Sequence, residues 1–409
     1  MEHWGVAPFP FNVTFGDMHG LLAAWQCHRL GIDVVVVDPC DILHRSFSYS
    51  PLWQLAAPIG LGVGSTMAVG WTCGLLFLLC LFLPPPPRRG RDVPLIVLAT
   101  LSTMVAFAVE RGNPDIVIFV LALLSGYLAL GPPWIRFFAY PVALVAGLLK
   151  YYPITLLVLT FRERVSTFLA VNVAALCLIL VFAATYHSEI ERGIPLIAVG
   201  IYYGDMFAAK HLPFGIAQTI FAVGDLSTSL SARSVAVALY AVILLACAAN
   251  VIRMVRPADM RQALSKLTVP EAMFLVLGSV LIIGCFFAGQ NVGYRGIFLL
   301  LVLPGLLAVA RNATEDSTRA SATFTSVLLV LLMWGEFFRI NLMFVLRSLE
   351  FGEDAVHLAW FGFWLVRELA WWWLISVLAA ASFYLLSQSE IGRSVSSALT
   401  RRSALAPPG

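Results

Sequence analysis

The feature that most constrains this chain is the recurrence of apolar runs close to the length that a helix needs to cross a bilayer, about 20 residues. They occupy Leu55–Leu83, Val93–Val109, Val165–Thr185, Val235–Ile252, Ala272–Ala288, Gly296–Ala310, Thr323–Gly335 and Leu369–Leu386. A further apolar tract, Ile116–Thr160, is interrupted. Only 12% of the 409 residues are charged and 60% are hydrophobic, whereas soluble domains are about a quarter charged. The sequence therefore predicts an all-α polytopic membrane protein, one transmembrane domain over 1–409 with the lipid bilayer as its surroundings. A formal charge of +3 is too small to indicate nucleic acid as a partner.

Basic loops set the expected orientation. PPPPRRGRD (84–92), FRER (161–164), RMVRPADMRQALSK (253–266), RNATEDSTR (311–319) and the tail from Gln388 hold more than half of the 26 Lys and Arg. Placing all five in the cytoplasm alternates with the apolar runs. The outside then receives residues 1–54 as a first extracytoplasmic loop, ERGNPD (110–115), the large segment 186–233, GQNVGYR (289–295) and residues 347–357. Trp334 and Trp371–Trp373 fall at outer span ends, as an aromatic belt would. Ile340–Leu349 and Ala355–Glu368 read as amphipathic helices along the outer interface.

The tract 116–160 must cross an odd number of times, yet Gly131-Pro132-Pro133, Arg136 and Lys150-Tyr151-Tyr152-Pro153 divide it. Either Arg136 lies at the outer or middle level, or the tract contains half-helices. Broken helices at membrane depth line a cavity or are covered by protein, so KYYP marks a place for a site. Residues 1–54 carry charge across with no anchor before them, which predicts an apolar helix encoded upstream of Met1. Cys27 and Cys40 lie in polar sequence. They form a disulfide if this segment meets an oxidising compartment, or they are two free thiols; both readings stand.

Motifs follow in order along the expected outer side. Asp17 precedes Gly31-Ile32-Asp33-Val34, Asp38-Pro39-Cys40-Asp41 and Tyr49-Ser50-Pro51. ERGNPDIVIFVLALL (110–124), AGLLKYYPITLL (146–157) and NVGYRGIFLLLVLPGLL (291–307) come next. Together they resemble the membrane glycosyltransferases of the GT-C fold, in particular the polyprenol-phosphate mannosyltransferase-like branch, glycosyltransferase family 87. The likeness is scattered over about two thirds of the chain. It implies a GT-C-like bundle of about 9–11 transmembrane helices, with broken or short helices in 116–160 and amphipathic helices on the outer face. It also implies a sugar, mannose in the named branch, carried on polyprenyl phosphate, a lipid or glycan acceptor, inverting transfer, and no cofactor beyond the donor. The chain departs from the pattern in two places. The first helix is absent, and Asp17 is followed by Met18-His19, so the paired acids of some relatives are missing.

Such a transfer needs a carboxylate to take the proton of a poorly nucleophilic hydroxyl and cations to offset a leaving phosphate. Asp17 is the expected base, with Asp38 and Asp41 behind it. As plain sequence, Asp17 is a helix N-cap, and the other two are turn acids beside Pro39. Lys150 and Arg295 are expected at the donor phosphate, with Tyr151, Glu110, Asn113 and Asp115 nearby. Lys150 in a helix break must find an anion or reach the interface. Arg295 equally suits an interface anchor, and Asn113-Pro114-Asp115 equally suits a capped turn. Tyr203, Asp205 and His211 punctuate a semi-apolar stretch that fits sugar binding, or an amphipathic helix in the headgroup layer. His19, His28, His44 and His211 have no metal spacing, so no metal site is expected. The competing readings are a transporter or flippase of a lipid-linked glycan and an inactive scaffold. The four-proline, arginine-rich loop and the lack of a retention signal point to a bacterial plasma (inner) membrane, multi-pass, with the carboxyl tail cytoplasmic.

Overall fold

The computed structural model describes residues 14–196, 206–223, 231–289, 291–395 and 397. These residues form a helical bundle with one two-stranded antiparallel pair. The chain opens in a small folded cap rather than an open loop. Its helix α1 (Gly16–Arg29) is rich in Ala and Leu and buries Leu21, Leu22, Ala24 and Trp25. Val34, Phe47 and Ala57 close over that face, and Cys27 is bonded to Cys40. Arg29 donates to the carbonyls of Ala57 (2.8 Å) and Leu61 (2.7 Å), which ties the end of α1 to the chain entering the first span.

That span is α2 (Thr66–Cys80). The chain then ascends as α3 (Val93–Thr100) and α4 (Thr103–Arg111), bent by 42° at their junction. The broken tract resolves into three short passes. They are α5 (Asp115–Leu130), then α6 (Pro133–Arg136) with α7 (Ala139–Lys150), then a 3₁₀ segment over Tyr152–Arg162. Their rises give lengths of about 24, 18 and 22 Å for α5, α7 and the 3₁₀ segment. The tract is thus divided into three short elements, at the breaks that Gly131-Pro132-Pro133 and Lys150-Tyr151-Tyr152-Pro153 mark. Arg136 sits neither at the outer nor at the middle level but at the FRER end, where it pairs with Glu163 at 2.6 Å.

The chain continues as α8 (Val165–Thr185), α9 (His187–Gly193), strand β1 (Met206–Phe207), α10 (His211–Val223), α11 (Ala232–Val255) and α12 (Ala258–Ser265). Next come α13 (Val269–Ala288), strand β2 (Asn291–Val292), α14 (Leu299–Asn312), α15 (Asp316–Met333), α16 (Gly335–Ser348) and α17 (Glu353–Ser387). The sides of α13 and α14 carry the core, with Phe274, Leu277, Leu281, Phe298, Leu301 and Val302 buried. By contrast, α8 and α11 leave apolar side chains such as Leu178, Val181, Val242 and Leu245 exposed. A helix apolar on all sides and left uncovered is consistent with a lipid surrounding. Among the described residues, six helices are long and apolar enough to cross a membrane, or up to eight when each bent pair counts as one span.

Two expectations need correction. Ala355–Glu368 is no separate interfacial helix: it is the first part of the continuous 35-residue α17. At about 52 Å, α17 outruns a hydrocarbon core of about 30 Å. The separate helix expected at 340–349 does form, as α16, turned 63° from α15. Nor do the tryptophans make a belt. Trp371 and Trp372 are buried, against Phe207 and Phe286. Trp334 lies at the two bends, donating to the Leu98 carbonyl at 2.8 Å.

The bundle has two unlike ends. At one, Arg88 and Arg311 meet Glu271 (3.4 and 2.9 Å), Asp259 accepts the Thr314 N–H (3.0 Å), and Arg162 reaches the Ala129 carbonyl (2.7 Å). The basic loops thus gather there. The cap, the α4–α5 turn, the α7 break and the start of the α14 run gather at the other end.

Candidate functional site

The site is built where the cap docks on two chain reversals. Phe15 N–H donates to the Glu110 carbonyl (3.0 Å), and Trp53 Nε1 donates to the Leu149 carbonyl (3.1 Å). The α4–α5 turn passes under the cap through Gly112, at φ 56°, where a side chain's first carbon would lie 3.1 Å from Phe15 and Met18. Glycine is the residue that fits there on both counts.

Asp17 stands in the first turn of α1 but does not cap it; the N-cap is Phe15, without a side-chain bond. Its carboxylate instead crosses to the turn after α4. Asn113 Nδ2 donates to Asp17 Oδ2 at 2.6 Å, and Arg45 Nη1 lies 3.6 Å from Oδ1. Asn113 is fully buried and its other end accepts the Asp115 N–H at 2.9 Å. The turn bond expected of Asn-Pro-Asp and the contact with Asp17 are thus both made by the Asn113 side chain.

Asp115, at the first residue of α5, has no exposed surface. Lys150 Nζ and Arg295 Nε each lie 3.3 Å from Oδ2, and the Tyr152 hydroxyl donates to Oδ1 at 2.7 Å. Lys150 stands 4.9 Å from the Tyr49 ring centre and Arg295 5.5 Å from that of Tyr152. Two cations therefore share one carboxylate, which leaves one net positive charge beside Asp17. Tyr151, at φ 63°, lets the chain reverse sharply, so that Lys150 and Tyr152 converge while Tyr151 is left partly exposed. Positive φ is rare for a bulky residue and costs about 1–3 kcal/mol.

Arg295 also donates to Asn291 Oδ1, and Asn291 Nδ2 donates to the Gly289 (2.8 Å) and Phe207 (3.4 Å) carbonyls. Through Asn291 the β1–β2 pair borders the site. His211 lies beyond it, buried near Arg367 rather than near Asp17; burial first, then Arg367 and Lys210, pushes its imidazole down to about 4. Glu110 keeps company with Arg111 (3.6 Å) at the rim. Asp38 accepts the Cys40 N–H (3.1 Å) in a turn, and burial raises its carboxyl above the ordinary range. Asp41 is fully buried in an ion pair with Arg45 (2.7 Å). Both turn acids are engaged within the cap. Tyr203 and Asp205 lie outside the described residues.

The structure thus brings together Asp17, Asn113, Asp115, Lys150 and Arg295. Arg45, Tyr49, Tyr152 and Asn291 join them without having been singled out. Three of the four sit inside quoted motifs, YSP, KYYP and NVGYR, where adjacency to a chosen residue was the available signal. No family model, curated protein or solved structure matches the chain.

Proposed function

We propose that this protein is a membrane glycosyltransferase of the GT-C kind. It transfers a sugar from polyprenyl phosphate to a lipid or glycan hydroxyl on the extracytoplasmic face, with inversion. The observation that carries the reading is a half-buried carboxylate, Asp17, joined through Asn113 to a cation pair at a helix break. Asn113 occupies Oδ2, so Oδ1 takes the acceptor proton as the acceptor oxygen bonds the anomeric carbon. The carbon–oxygen bond to phosphate breaks, and its electron pair stays on the phosphate, which gains one negative charge. Lys150 and Arg295, only partly offset by Asp115, stabilise that charge in a site shielded from water.

The Cys27–Cys40 disulfide supports an oxidising compartment for the cap, and the gathering of basic loops supports cytoplasm at the opposite end. Six helices long and apolar enough to cross a membrane, or up to eight with each bent pair counted as one, support a multi-pass reading in which the carboxyl tail is cytoplasmic. A bacterial inner membrane fits both.

The test is release of polyprenyl phosphate by purified protein from a panel of polyprenyl-phosphate sugars, for wild type and Asp17→Asn. The substitution is expected to slow release by about 10²–10⁴-fold. Equal rates would remove Asp17 as the base. Silence of the wild type towards every donor would favour the transporter or scaffold readings, for which the bent helix pairs are also suited.

A further inference from the structure

Arg45 and the disulfide-closed turn before it have no part in the transfer as written above, yet that turn holds Arg45, whose guanidinium lies 3.6 Å from the base. Cys27, near the end of α1, is bonded to Cys40. In the turn between them, the Asp38 carboxylate accepts the N–H groups of Cys40 (3.1 Å) and Asp41 (3.3 Å). That turn sends the Asp41 side chain inward, where it holds Arg45 at two points, Nε to Oδ2 at 2.7 Å and Nη2 to Oδ1 at 3.3 Å. The backbone N–H of Arg45 also donates to Asp41 Oδ2 at 3.1 Å. Nη2 donates to the Gly16 carbonyl at 2.7 Å, while Nη1 stops 3.6 Å short of Asp17 Oδ1. A side chain's first carbon at Gly20 would lie 2.7 Å from Nη2, so α1 presents a glycine where the guanidinium crosses it.

A close ion pair between arginine and carboxylate has N⁺–H···O⁻ distances of about 2.7–2.9 Å. Arg45 makes that contact with Asp41 and not with Asp17. We infer that Asp41 is a positioning residue: it restrains Arg45 from closing onto Asp17, and the Cys27–Cys40 disulfide keeps Asp41 in place. The inference rests on Asp17 being the base of the proposed transfer. With the restraint intact, Oδ1 stays open to an acceptor hydroxyl while the nearby positive charge steadies the carboxylate. With Asp41 neutralised, the guanidinium moves onto Asp17 and occupies the lone pair that the acceptor needs. Loss of the disulfide has the same result, because the turn no longer holds Asp41 against Arg45.

Turnover is measured for wild type, Asp41→Asn, Cys27→Ser/Cys40→Ser, and each variant combined with Arg45→Met. Asp41→Asn and the cysteine variant are expected to lose about 100-fold in kcat, the scale of a small misplacement, with donor KM unchanged. Adding Arg45→Met is expected to recover at least a tenfold part of each loss. A purely structural role would make the combined variants no better than their parents, and that result, or undiminished kcat in Asp41→Asn, overturns the inference. Should the wild type turn over no donor, the transferase reading falls, and the restraint is judged on carbodiimide labelling of Asp17 followed by mass spectrometry. Labelling slower in Asp41→Asn than in wild type and restored by Arg45→Met supports it; equal labelling in all three overturns it.

Discussion

Asp115 shows how much one buried charge can organise. It has no exposed surface and holds Lys150, Arg295 and Tyr152 together from three separate parts of the chain. Removing one member of a buried pair leaves the others uncompensated, at a cost of about 3–5 kcal/mol. Asp115→Asn is therefore expected to lower the thermal midpoint of the purified protein markedly, and Asp115→Leu with Lys150→Met to lower it less; equal losses would show that the charges do not depend on one another. His19 is a second residue with a measurable signature. Burial first, opposed by Asp41 and reinforced by Arg45, holds its imidazole below the ordinary 6.5. The folded cap thus refuses a proton that the unfolded chain accepts, so stability falls as pH drops through about 6.5 and levels off below the folded value. Protease resistance of the cap should be greater at neutral pH than at mildly acid pH, with the difference reduced in His19→Gln. Asp17, Asn113, Asp115, Lys150 and Arg295 were legible because charge next to long apolar runs is conspicuous. Arg45 was not, since its place depends on an irregular turn that has no periodicity to read.

The elements tell a similar story at larger size. Within the first 54 residues the helix after Asp17 was legible and forms as α1, but its docking into a cap was not, because its apolar partners come from irregular chain around Val34, Phe47 and Ala57. The disulfide closes a sequence separation of 13 residues, which contributes about 3 kcal/mol by loop closure. Reduction is expected to open residues 28–39 to protease while the bundle stays folded; unchanged cleavage would show that the apolar core of the cap suffices. At the α4–α5 turn, Gly112→Val adds a left-handed penalty of about 1–2 kcal/mol and a clash with Phe15 and Met18. It should loosen the docking of the cap, read as faster hydrogen exchange at Phe15 and along α1. The breaks within 116–160 were legible, but the kind of helix between them was not. Nothing in YPITLLVLTFR separates a 3₁₀ segment from an α-helix; packing against α7 and α13 decides it. The length of α17 was missed because its first turns are amphipathic and its later ones apolar, a change of surroundings along one unbroken helix.

For the whole molecule, the decisive property is the difference between its ends. The ion-paired arginines and loop acids lie at one end, and the cap with its disulfide lies at the other. Cysteines placed at the exposed cap residues Val36 and Ile42 should react with an impermeant thiol reagent on intact cells, and one at Arg91 should react after lysis only. The reverse pattern would put the proposed sugar-transfer centre in the cytosol and end that reading.

By itself the sequence determined that this chain is a helical bundle suited to a bilayer and which charges stand out. It could do so because burial in lipid is a matter of run length and local charge. Only the tertiary structure decided that Asp17 meets Asn113 across 96 residues and that Arg295 meets Asp115 across 180. Contacts at such separations follow from how helices pack and where breaks fall, and no local pattern encodes them.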